Sequence, residues 1–104
     1  MEFIIIYCTV PNKNEGKEIA KALVEHKMCA CVNIIDKIES VFSWDGKITE
    51  EKEAMLMIKT RKDLFNNVNQ IIQKLHSYTV PEVIAIPIIE ADDTYLKWIA
   101  HETR

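Results

Sequence analysis

The feature that most constrains this chain is a pair of long strand-like segments on either side of Asp45-Gly46. Residues 30–44 alternate, which predicts Ala30, Val32, Ile34, Ile38, Phe42 and Trp44 on one face, interrupted by Asp36 and Ser40. Asp-Gly is a strong two-residue hairpin signal, because a type I′ turn needs positive φ at both positions. The return strand then runs from Lys47 to about Arg61. This register puts Trp44 opposite Lys47 and Glu39 opposite Lys52, a favourable cross-strand charge pair. Each strand has about 15 residues, where ~5–6 is usual. Two such strands overrun a small sheet. Near the tip of the overrun sit Val41, Phe42 and Trp44, apolar groups that need a partner surface. Oligomerisation is expected on that ground alone.

The rest of the chain frames this hairpin. Residues 2–10 are rich in Ile, Val, Tyr and Phe, as in a strand buried on both faces, and Pro11 and Asn12 break it. Asn12 with Glu15 three residues later fits a helix N-cap and a capping box, and Ile19, Ala20, Leu23 and Val24 recur at helical spacing through about Lys27. Ala54 to Ile58 is apolar on both faces, as in a central strand. Thr60 and Asp63 resemble a capping signature, with Asp63 as an alternative cap. Leu64, Phe65, Val68, Ile71, Ile72 and Leu75 then form the clearest amphipathic helix in the chain. Pro81 leads into a strand-like run, Val83 to Ile89, whose internal Pro87 predicts an edge position or a bulge. Asp92 or Asp93 can cap a last helix carrying Tyr95, Leu96 and Ile99. The order is βαββαβ plus a C-terminal helix. It predicts a single α+β domain over residues 1–104, ferredoxin-like, with an extended central hairpin.

Composition narrows the function classes. A net charge of −3 gives no footprint for nucleic acid or an anionic membrane. No apolar run approaches the ~20 residues of a membrane span, and the N-terminus has neither a basic n-region nor a small-residue cleavage site. Three cysteines, Cys8, Cys29 and Cys31, are an odd number and argue against a disulfide framework. The expected setting is a reducing, cytoplasmic one. Gly16 and Gly46 stand alone, so there is no phosphate-cradling loop. Ser40, Ser43 and Ser77 lack any nucleophile context, and no catalytic residue is expected.

The segments Ala30-Cys31-Val32-Asn33-Ile34, Ser43-Trp44-Asp45-Gly46-Lys47-Ile48, Glu51-x-Glu53, Ile58-Lys59-Thr60, His76-Ser77-Tyr78-Thr79-Val80-Pro81-Glu82 and Tyr95-Leu96-x-Trp98 stand in one order across nearly the whole chain. Together they resemble the CutA (divalent-cation-tolerance) family. The resemblance implies a tight homotrimer similar in architecture to PII-type signalling proteins, with the hairpin arms and C-terminal helix packed on neighbours. It implies a role in tolerance to divalent cations, copper above all. Phe42, Trp44 and Trp98 are the trimer-interface candidates. The sequence departs from the common pattern at Ser77, where Pro is usual after the His, at Thr79 in place of Glu or Gln, at Phe42 in place of Tyr, and at Ala91 in place of Gly.

Two sets of residues could carry chemistry. Thiolate and imidazole suit copper and zinc, and Cys8 and His76 match the positions that bind copper in metal-binding family members. The plainer reading makes Cys8 a small buried hydrophobe and His76 a cation at a helix C-terminus. The second set is Glu51, Glu53, Lys59, Tyr78 and Glu82, which by resemblance lines an intersubunit cleft. It can hold a small anion or a hard cation, or act only as an ion-paired strut. Cys29 and Cys31 read as packing, and His26 and His101 as surface residues. Two functions follow: a trimeric protein binding copper or other divalent ions in metal homeostasis, or a PII-like sensor that binds a small anionic ligand and signals to a protein partner.

Overall fold

The computed structural model describes all 104 residues. In chain order the elements are β1 (Phe3–Val10), α1 (Lys13–Glu25), β2 (Cys31–Trp44), β3 (Lys47–Arg61), a short 3-10 turn (Lys62–Leu64), α2 (Phe65–Leu75), β4 (Ile84–Pro87) and α3 (Asp93–Glu102). The four strands form one antiparallel sheet in the order β2-β3-β1-β4. This is the split βαβ arrangement predicted from the element order.

α1 and α2 cover one face of the sheet. Ile4, Ile6, Cys8 and Val10 of β1 and Ala54, Leu56 and Ile58 of β3 meet Ile19 and Leu23 of α1 and Val68 and Ile72 of α2 in a single core. Alternation along β1 and β3 sends these even-numbered side chains inward. α1 approaches closely because position 16 has no side chain: a Cβ there would stand 3.1 Å from Leu56 Cδ2 and 3.2 Å from Val10 Cγ2.

The local signals resolve unevenly. Asn12 caps α1, its side chain accepting from the Glu15 N–H at 2.8 Å. The reciprocal half of a capping box is absent, since the Glu15 carboxylate bonds to Ser77 instead. α1 ends at Glu25, two residues before the expected Lys27. Lys27 takes the left-handed conformation (φ 59), and Met28 N–H reaches back to Leu23 O at 3.0 Å, a Schellman ending. Neither Thr60 nor Asp63 caps a helix. Thr60 Oγ1 donates to Met28 O at 2.6 Å, and Asp63 pairs with Arg61 Nε at 3.1 Å. β4 is an edge strand, one of the two outcomes Pro87 predicted, but it has only four residues in place of the run expected to Ile89.

The hairpin turns at Asp45 (φ 50) and Gly46 (φ 73), with Trp44 opposite Lys47 and Glu39 opposite Lys52 as the register predicts. The single-face expectation for β2 fails. Ile35 faces Met55 and Ile38 faces Glu53, so Asp36 and Lys37 together oppose Ala54 alone. This is a β-bulge, with Lys37 at φ 60. An extra residue reverses the parity of everything beyond it. Val32 and Ile34 therefore lie with Leu56 and Ile58 on the helix side, whereas Ile38, Phe42 and Trp44 lie with Glu53, Thr49 and Lys47 on the other.

β1 ends opposite Ala54, so residues 47–53 of β3 pair with β2 alone. That arm is roughly 20 Å long. It stretches the molecule to 44 × 26 × 22 Å, with a radius of gyration of 14.1 Å against ~13 Å for a compact chain of this length. Phe42 (39% exposed), Trp44 (49%) and Ile48 (85%) all stand open on it.

Candidate functional site

β1 ends at Val10 with its last turn of backbone facing the end of α2. His76 caps the C-terminus of α2 and leaves the helix in an extended conformation. Its ring is fully enclosed. Nε2 lies 2.7 Å from the carbonyl oxygen of Thr9. A carbonyl only accepts, so Nε2 carries the proton. Nδ1 then bears the lone pair, and it accepts from the Tyr78 N–H at 3.1 Å. The ring is thereby fixed as one neutral tautomer. The Tyr78 ring lies against it with centroids 4.7 Å apart.

A carboxylate stands beside this histidine. Glu15 Oε2 is 3.5 Å from Nδ1 and accepts from both the backbone N–H and the hydroxyl of Ser77 at 3.0 Å. Tyr78 OH donates to Glu53 Oε2 at 2.8 Å, which ties the segment after α2 to the first residue of the arm. Glu53 is buried at 6% exposure, and this hydroxyl satisfies it. Burial, then the charge of Glu53, raises the carboxyl of Glu82 above its ordinary range. Burial, the hydrogen bond to Glu53 and the charges of Glu53, Glu51 and Glu15 push the Tyr78 hydroxyl up as well.

Cys8 sits beside this cluster with no exposed surface. Burial is the main force pushing its thiol up to about 12, followed by the charges of Glu82, Glu15 and Glu53. The thiol is therefore protonated at neutral pH and is a poor nucleophile. These shifts share one sign: burial is the largest cause of each, and the charges of neighbouring carboxylates add to it.

The fold thus brings the Cys8 strand end and His76 together, with the His76 ring bonded to the residue after Cys8. It gathers Glu53, Tyr78 and Glu82, and Glu51 acts on Tyr78 through its charge. Lys59 does not join them. It lies six residues along β3 from Glu53, roughly 20 Å away, opposite Cys31 and Ile5, and its ammonium bonds Asn33 Oδ1. Phe42 and Trp44 stand on the arm, and Trp98 stacks on Tyr95 of α3 with centroids 5.5 Å apart. Cys29 is buried, its thiol also pushed up to about 12 by burial. The residue missed in the sequence is Glu15. Its place in an apparent capping box explained it locally, although Ser77 offered a clue: the proline usual there has no N–H to donate.

Within the chain, no three His, Cys, Asp or Glu side chains converge well enough to hold a metal ion. The donor set still fits one in part. A neutral imidazole with its second nitrogen anchored on a carbonyl, in a negative field, is the arrangement metal-binding histidines use. A shallow cleft of about 290 Å³ opens nearby between the start of α1 and the bulge, lined by Lys13, Lys37 and Lys52 together with Asp36 and Glu53.

Comparison with known proteins gives this site its context. The family described as CutA1 divalent ion tolerance protein matches residues 4–102. Protein CutA, chloroplastic, from Arabidopsis thaliana is 46% identical over 101 residues, and the chain covers 97% of itself and 56% of that protein in the match. The chain thus spans little more than half the length of this plant relative. The divalent-cation tolerance protein CutA of Thermus thermophilus is 39% identical over 95% of this chain and 96% of its own length. The crystal structure of CutA1 from Oryza sativa superposes with a TM-score of 0.97 at 43% identity, over 100% of this chain and 95% of that one. No helix is long and apolar enough to cross a membrane. By sequence over nearly its full length and by backbone throughout, the chain belongs to the CutA1 divalent ion tolerance family.

Proposed function

We propose that the chain works as a homotrimeric divalent-cation-tolerance protein in the cytoplasm, acting by binding copper or another divalent ion and not by catalysis. The observation that carries this reading is the state of His76. The Thr9 carbonyl takes the Nε2 proton and the Tyr78 N–H points at Nδ1, which leaves a neutral ring, the form that ligates metals, with the Glu15 carboxylate beside it. His76 is the anchoring ligand. Cys8 supplies a soft donor for copper, and because its thiol must first lose a proton, binding through it strengthens as pH rises toward about 12. The ion supplies Lewis acidity that no side chain of the cluster has.

The trimer is supported by the arm. Two strands without a third neighbour are marginal in water, and this pair carries Phe42 and Trp44 exposed on one face. A neighbouring sheet is the natural cover for both, and Trp98 is a second such contact. Copper titration by calorimetry, with His76→Ala beside the unmodified protein, tests the metal reading. Binding that this change weakens supports it, and binding indifferent to the change sinks it. Sedimentation tests the assembly, and a monomer at micromolar concentration overturns it.

A second reading is a PII-like sensor that holds a small anion and signals to a protein partner. The lysines of the polar cleft, Lys13, Lys37 and Lys52, favour it more than Lys59 does. A rise in melting temperature with a small phosphorylated or carboxylated metabolite, and none with metal, would replace the first reading by this one.

A further inference from the structure

We infer that the cleft beside the bulge seats a small polyanion, one with at least two carboxylate or phosphate groups, and that this ligand clamps the root of the arm to the body of the protomer. This rests on the second reading above and supplies its ligand class and its mode of action. The placement of the lysines carries it. Lys13 opens α1 on the body, Lys37 sits in the bulge where the arm begins, and Lys52 lies on β3 beyond the end of β1. Three ammonium groups from three segments thus line one cleft of about 290 Å³, and the cleft straddles the joint between body and arm.

The charges in this cleft are unevenly satisfied. Both carboxylates have donors: Asp36 Oδ1 accepts from the Lys37 N–H at 2.8 Å, and Glu53 Oε2 accepts from Tyr78 OH at 2.8 Å. None of the three lysines forms an ion pair, and Lys52 makes none even with Glu39 opposite it in the ladder. Like charges gathered without a counter-ion repel, and an anion placed among them relieves that repulsion. α1 adds to the same field. Its lysines at 13, 17 and 21 follow at four-residue spacing along one exposed flank, whereas Glu15 turns away to Ser77. That flank leads into the cleft, and the positive end of the helix opens on it.

The lining also sets the kind of anion. The volume lies at the lower end of small-molecule sites. Pro11 apart, every lining residue is polar or charged, so no aromatic ring is there for a nucleobase to stack on. A single anionic group meets the lysines on one side of the joint. Two groups span it, joining Lys13 to Lys37 and Lys52, and the arm then loses freedom at its root.

The test is calorimetric titration of the full chain with pyrophosphate, citrate and inorganic phosphate, in metal-free buffer at low salt. Lys37→Gln combined with Lys52→Gln is the variant, and Lys97→Gln on α3 is the control of equal surface exposure. All three positions are exposed, so the variants are expected to fold. Pyrophosphate or citrate should bind more tightly than phosphate, and the tighter of the two assigns the ligand to phosphates or carboxylates. The double variant should weaken that binding about tenfold, and Lys97→Gln should leave it unchanged. Hydrogen exchange should slow at residues 36–39 and 50–53 when the polyanion is bound. If a polyanion binds equally well to the double variant, the seat lies elsewhere: the inference fails and the second reading survives. Phosphate binding as tightly as either polyanion, or exchange at those residues unaltered by ligand, removes the clamp in the same way. If none of the three anions binds, the inference and the second reading fall together.

Discussion

The two ends of the β2–β3 hairpin differ in what holds them. At its base, from Cys31 to Ile35 and from Ala54 to Arg61, the ladder is flanked by β1 and covered by α1 and α2. Ala54, Leu56 and Ile58 have no exposed surface there. In the arm, from Ile38 to Lys52, the same two strands continue past the bulge with no third strand beside them, and Ile48 reaches 85% exposure. One half of a single element is stabilised by its own chain, and the other leaves its apolar side chains open. The bulge at Asp36–Lys37 marks the boundary, and it turns the apolar side of β2 from the helices to the opposite face.

The sharpest way to break this contrast is to cut into each half. Leu56→Ala removes a fully buried side chain at the base and is expected to cost about 2–5 kcal/mol in denaturant unfolding. A loss below about 1 kcal/mol would mean that the base is not the part that holds the fold. Phe42→Ala combined with Trp44→Ala removes the large exposed side chains of the arm. It should weaken assembly by about 2 kcal/mol or more, read by sedimentation, while the far-ultraviolet spectrum of the protomer is unchanged. An unaltered oligomer would place the interface elsewhere.

Tyr78→Phe acts at the junction. It deletes the hydroxyl that satisfies Glu53, and about 1–3 kcal/mol should be lost because the carboxylate stays buried. Unchanged stability would show that water replaces the hydroxyl freely. The smallest effect concerns pH. Glu82 has its carboxyl raised in the folded state, so the native protein binds more protons than the unfolded one above the ordinary carboxylate value of 4.5. Stability contributed by this group is thus lost as pH rises from there. Glu82→Gln should raise the melting temperature slightly at pH 7 and leave it unchanged at pH 4. Equal shifts at both values would assign the effect to packing.

Much of the base could be read from residues alone, because periodicity reports burial. The turn at Asp45-Gly46, the cross-strand pair Glu39–Lys52, the amphipathic α2 and the edge position of β4 all follow from local chemistry. What could not be read depends on contacts across the chain. The bulge hides behind two polar residues that look like ordinary surface, and a pattern counted through Asp36 comes out with the wrong parity. Glu15 and Ser77 are 62 positions apart, and nothing near either one names the other. Lys59 and Glu53 stand apart within the chain for a simpler reason: both lie on one strand, and a strand keeps residues six apart at a distance.

The place of β1 in the sheet has a consequence for how the chain reaches its native state. β1 comes before its neighbours, yet it lies between β3 and β4, so its partners arrive only after Arg61 and Pro87 have been made. The β2–β3 hairpin, closed by a two-residue turn, can form on its own within microseconds. The strip Phe3–Val10 has to wait, sticky and single, until both flanks exist. Folding is therefore governed by long loop closures and not by the hairpin, and refolding is expected to be slow for a chain of this size. Until those closures are made, β1 is an unpaired apolar strand, the kind of segment through which aggregation competes with folding.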